Sequence, residues 1–74
     1  MDTETKKEKA IIFLKNNIRA FIKDSYDNYY FCDIKEICPD WVIVKCFQGN
    51  KSGEIFRILW IDMVDIQEYN EGLK

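Results

Sequence analysis

Seventy-four residues with 47% hydrophobic and 15% aromatic content make one small globular domain and exclude a disordered tail. The charges nearly balance, 11 basic against 13 acidic. No apolar run approaches the ~20 residues of a membrane-crossing helix, so neither a uniformly basic nucleic-acid coat nor a spanning segment is expected.

The N-terminal segment predicts one short helix over about residues 5–16. Thr5 followed by Glu8 fits a capping box, and Lys7, Ile11, Leu14 and Ile18 lie along one helical stripe. Asn16-Asn17 marks its end. A helix this short is marginal alone in water, so the Ile11/Leu14 face is expected to dock on the rest of the chain. The opening residues alternate acid and base and carry no small-residue cleavage site, which does not read as a signal peptide.

From Ile18 the period changes to two. Ile18, Ala20 and Ile22 share one face of a first strand, and Asp24 to Asn28 form a polar turn. Tyr29 to Ile37 predict a long second strand with Tyr30, Cys32 and Ile34 on one side. Pro39 breaks the pairing, because proline has no amide donor. Trp41 to Phe47 predict a third strand, and residues 48–53, QGNKSG, a hairpin loop. Ile55 to Trp60 and Met63 to Tyr69 predict the fourth and fifth strands, with almost no loop between them. Residues 70–74 form a tail.

The run from Ile55 to Ile66 is unusual, since nine of its twelve residues are apolar. A half-exposed strand alternates apolar and polar side chains; here both parities are apolar. One face is expected to join the domain's core and the other to need a cover, from the helix or a second copy. Phe56, Ile58, Trp60, Met63 and Val64 are therefore candidates for core or subunit interface.

The fold expected is mainly β: a short N-terminal helix, then five bent antiparallel strands closing into a small barrel over residues 18–69, all within a single domain spanning 1–74. At this point the chain resembles the Sm-like family, which includes the Lsm and Hfq-type proteins, with an SH3-like barrel. The resemblance rests on IRAFIKDSYDNYYFCDI as the first hairpin, on the Cys38-Pro39-Asp40 break followed by WVIVKC, and on GEIFRILWIDMVDIQEY as the closing pair. It implies a homo-oligomeric ring of roughly five to seven subunits that binds or scaffolds RNA or a ribonucleoprotein partner. The asparagine of the family's uridine pocket and its Arg-Gly pair have no counterpart here. RNA-binding candidates are Asp40 and Trp41 at the loop before the third strand, with Tyr26 and Tyr29 as stacking rings. The basic residues Lys6, Lys7 and Lys9 join them as phosphate contacts on the helix.

Charge distribution pulls the other way. Residues 1–23 carry a net of +3, but residues 24–74 carry −5, so phosphate attraction rests on the helical end alone. The alternative function is a protein-interaction or oligomerisation module without nucleic-acid binding. No enzyme is expected: without histidine, neither a Cys–His nor a Ser–His pair forms within one chain. Cys32, Cys38 and Cys46, spaced by six and eight, match no structural zinc pattern and read as small buried hydrophobes in a reducing cytoplasm. No metal or cofactor is expected.

Overall fold

The computed structural model describes residues 2–70; the remainder of the expected tail, 71–74, lies outside the described residues. A single helix, α1 (Thr3–Lys15), precedes β1 (Arg19–Asp24), β2 (Tyr29–Ile37), β3 (Trp41–Cys46), β4 (Ile55–Leu59) and β5 (Met63–Glu68). All five strands are antiparallel in one sheet of order β4-β3-β2-β1-β5. This is the mainly β architecture expected, with one correction. No ladder joins β4 to β5, so the sheet is strongly bent rather than closed. Register shifts at Ile34/Glu36 in β2 and Lys23/Asp24 in β1 help to bend it.

α1 begins two residues earlier than the sequence suggests. Asp2, not Thr5, is the cap: its carboxylate accepts the Thr5 amide at 2.8 Å. Asn17 ends the helix in the left-handed region with φ 54°, a conformation asparagine tolerates. The inward face agrees with the expected stripe at Leu14 and Ile18, which pack on the core, and departs from it at Ile11. Lys6, Ala10 and Phe13 are buried, whereas Ile11 and Ile12 are exposed. The frame is displaced by one residue because a lysine occupies an inward position.

The strands follow the period of two. Ala20 and Ile22 on β1, Tyr30, Cys32 and Ile34 on β2, and Val42, Val44 and Cys46 on β3 point into one core. Ile18, Ile37 and Phe56 pack on its margin. The outer face of the same strands carries a second, half-exposed aromatic row. Phe21 stacks on Tyr29 at 5.6 Å and on Phe31 at 5.0 Å, and Tyr69 sits edge-on to Phe31 and Phe47.

The apolar run after Ile55 is divided by a 3-10 turn, Trp60–Asp62. The turn rotates the chain so that Ile58, Trp60, Met63 and Ile66 all face inward, while Ile55, Leu59, Ile61 and Val64 are exposed. Trp60, at 2% exposure, is the largest fully buried side chain. Its indole N–H donates to the Cys38 carbonyl at 2.9 Å. Of the five interface candidates, Ile58, Trp60 and Met63 are thus core residues of this chain, Phe56 is half-buried, and only Val64 is exposed.

Candidate functional site

The basic face proposed on α1 is largely used within the fold. The Lys6 ammonium is buried and donates to the carbonyls of Trp60 at 2.7 Å and Met63 at 2.6 Å. Lys9 reaches the Ile66 carbonyl at 3.1 Å, and Lys7 lies 6.0 Å from the centre of the Trp60 ring. Lys6 is therefore corrected from a phosphate contact to a clamp that ties α1 to the turn between β4 and β5. Lysines read as a solvated stripe in sequence; a buried one becomes visible only when the carbonyls it satisfies are in place. Lys6→Met leaves two carbonyls without this donor and is expected to lower stability by about 1–3 kcal/mol. Lys9→Met, at a partly exposed site, is expected to cost less than about 1 kcal/mol. Urea unfolding of both variants checks the order.

The remaining candidates separate into two places. Tyr29 is on the outer sheet face, stacked on Phe21 and contacted by the Lys23 ammonium at 5.6 Å. Tyr26 and Trp41 meet in an open recess of about 580 Å³, whose wall also includes Arg57, Leu59 and Asp62. Asp40 is exposed beside Trp41, and its carbonyl accepts the Trp60 amide at 3.1 Å.

Asp24 shapes one wall of this recess. It is buried, and its carboxylate accepts the amides of Tyr26 and Asn28 at 2.9 Å each, the Asn28 side chain at 3.2 Å and the Tyr30 hydroxyl at 3.0 Å. Burial opposes the charge, but these four donors outweigh it and hold the Asp24 carboxyl below its ordinary pKa. Burial and the adjacent carboxylate push the Tyr30 phenol up to about 12. Asp27, at φ 65°, completes the turn. The Ser25 amide then bonds the Asp62 carbonyl at 2.8 Å, fixing the β1–β2 turn against the 3-10 turn. The recess is thus held open by hydrogen bonds within the fold. The sequence marks Asp24 only as a turn residue; its spacing to Asn28 and Tyr30 is the one available signal of the network.

The facing wall is an aromatic platform. Trp41 opens β3, and its register partner Leu59 closes β4. The Arg57 guanidinium lies over the Trp41 ring at 4.8 Å, an attraction between cation and ring face. Asp62 is half-buried, and no described residue donates to its carboxylate. The recess therefore joins flat aromatic surface to an acid with no partner among the described residues. Asp24 and Asp62 outnumber Arg57 in its lining, and the exposed Asp27 and Asp40 are their near neighbours in the chain.

Cys32 and Cys46 face each other across β2 and β3; both are buried free thiols whose pKa burial raises, so they remain protonated. Among the described residues no cluster of Cys, Asp or Glu could hold a metal ion, and no helix is long and apolar enough to cross a membrane. No protein-family model, curated protein or solved structure matches the chain.

Proposed function

We propose that the chain is a small, non-catalytic protein-interaction module, and that the Tyr26–Trp41–Asp62 recess docks a basic segment of a protein partner. One observation carries this reading: half-buried Asp62, whose carboxylate takes no donor among the described residues, stands in an aromatic-walled recess with a net negative lining. Phosphate is repelled by such a lining, whereas a guanidinium stacks on the rings and forks onto the carboxylate. The chain already contains that pairing in Arg57 on Trp41.

A fluorescence-anisotropy titration with a labelled Arg/Gly-repeat peptide and a labelled oligouridylate tests the choice. The peptide is expected to bind, and Trp41→Ala to weaken it by about tenfold or more. Tight binding of the oligouridylate with no response to the peptide overturns the reading.

A second reading is the Sm-like ring that gathers RNA or a ribonucleoprotein partner. Exposed Ile55, Leu59, Ile61 and Val64 around the β4–β5 connection support it, because that family joins subunits through these strands. Light scattering after gel filtration decides it: a salt-resistant ring is expected on this reading, and a particle of 8.9 kDa counts against it.

A further inference from the structure

The two edges of the sheet are treated differently. Along β5, Tyr69 donates its amide to Arg19 of β1 at 2.8 Å. By antiparallel alternation the backbone groups of Ile66 face away from β1. Both are already occupied: the Ile66 amide donates to the Asp65 carboxylate at 2.9 Å, and its carbonyl accepts Lys9. At Ile66 the occupied groups and the lysine laid along them discourage strand addition; Glu68, outward by the same alternation, lies at the very end of β5.

β4 has no such guard. Cys46 donates to Glu54 at 2.9 Å, which sets the alternation so that the backbone groups of Ile55, Arg57 and Leu59 face outward. The amides and carbonyls of Ile55 and Arg57 take part in none of the turn, loop or cap bonds of the described residues; at Leu59 the amide is open in the same way, while the carbonyl caps the 3-10 turn that follows. The side chains of Arg57 and Leu59 also line the acidic recess, so the open edge and the recess are one continuous surface.

We infer that β4 is a strand-addition edge, on which an extended segment of a partner protein pairs antiparallel with Ile55–Leu59 and places an arginine in the recess against Asp62. The inference rests on the protein-interaction reading above and specifies how that partner is held. Backbone pairing along an exposed edge supplies affinity, and alternate side chains supply specificity. The chemistry of the segment follows from β4. Its arginine enters at the Leu59 end, where Asp62 and the rings lie. Two residues on, opposite Arg57, an acidic side chain is favoured, since like charges facing across strands destabilise the pair. Two further on, opposite exposed Ile55, the position is apolar. The occupant is thus an Arg-x-Glu-x-Val type of strand. A second copy fits less well, because its β5 edge is occupied at Ile66 and a centred β4–β4 pair sets Arg57 against its own counterpart.

The test uses the whole chain, isotopically labelled, and the acetylated nonapeptide Gly-Ser-Arg-Thr-Glu-Thr-Val-Ser-Gly amide as probe. Amide hydrogen exchange at Ile55, Arg57 and Leu59 is expected to slow by about tenfold or more at saturating peptide, with shifts at Tyr26 and Asn28. Asp62→Asn, a surface-lining change that leaves the Asp24 network intact, is expected to weaken binding by about tenfold or more. If the peptide binds and responds to Asp62→Asn while exchange on β4 stays unchanged, strand addition is wrong and the recess reading stands. Absence of peptide binding at millimolar concentration removes both. Slowed exchange on β4 that tracks protein concentration without peptide gives the edge to a second copy, and displacement of the peptide by oligouridylate gives the recess to RNA; either overturns the inference.

Discussion

Trp60→Ala is expected to lower the unfolding free energy by about 3–5 kcal/mol, the range for a large aromatic removed from a packed core. A domain of this length has about 4–11 kcal/mol in total, so the substitution removes a large share of the stability and unfolds the domain where that total is at the low end. Two losses coincide at this residue. The indole fills the space under the 3-10 turn at 2% exposure, and its N–H satisfies the Cys38 carbonyl; the backbone carbonyl that Lys6 holds is kept in alanine, but it lies beside the void. The void therefore opens where α1, the β2–β3 break and the β4–β5 connection converge. Trp60→Phe keeps most of the volume and loses only the N–H bond, so about 1–2 kcal/mol is expected. Urea melts followed by circular dichroism separate the two variants. A Trp60→Ala protein that melts like its parent but changes its mass in solution would make Trp60 an interface residue and contradict its place in the core.

The same residue shows where sequence reading succeeds and where it stops. The strands were legible because Ala20 and Ile22, Tyr30, Cys32 and Ile34, and Val42 and Val44 keep a strict period of two, and one buried face imposes that register. The run after Ile55 was legible as doubly apolar but not as divided between core and surface. That division comes from the Trp60–Asp62 turn, which breaks the alternation and sends both Trp60 and Met63 inward. Turn geometry of this kind depends on the Lys6 clamp and the Asp40 carbonyl, which come from distant parts of the chain. The helix frame was misread for a related reason. Period arguments follow apolar residues, and here the inward position belongs to Lys6 while Ile11 and Ile12 face out.

The recess follows the same logic. Tyr26 and Trp41 stood out singly as aromatic residues beside turns, and the fold brings them together. Asp62, which gives the site its charge preference, stood out only as an interruption in an apolar run. No spacing rule links residues 26, 41 and 62, because their meeting depends on a β1–β2 turn fixed to the 3-10 turn through Ser25 and Asp62. The acidic balance of residues 24–74 was the earlier sign. Its local origin is a carboxylate at the recess, accompanied by the loss of Lys6 and Lys9 from the free basic face.

Asp24→Ala is expected to lower stability by about 2–4 kcal/mol, chiefly because the buried Tyr30 hydroxyl and the turn amides lose their shared acceptor. Asp24→Asn is the sharper comparison. The amide keeps one acceptor oxygen for part of the network but places an NH2 group against donors, so a loss close to that of alanine is expected. Wild-type stability should depend on pH in a defined direction. Asp24 titrates below its ordinary value when folded, so the unfolded state takes up its proton first as pH falls. The contribution of the network is complete above the unfolded carboxylate pKa of about 3.9. It is lost progressively as pH falls below that value and through the lower folded pKa. Denaturant midpoints measured from pH 6 to pH 2.5 should therefore fall in the acid range, and the Asp24→Asn protein should show a shallower decline over that window. The recess adds a second readout to the same variant. Tyr26 and Asn28 are held by the Asp24 carboxylate, so loosening that turn moves one wall of the site away from Trp41. Peptide affinity should fall in Asp24→Asn even at temperatures where the domain remains folded, whereas a variant that loses stability but keeps full affinity would detach the network from the site.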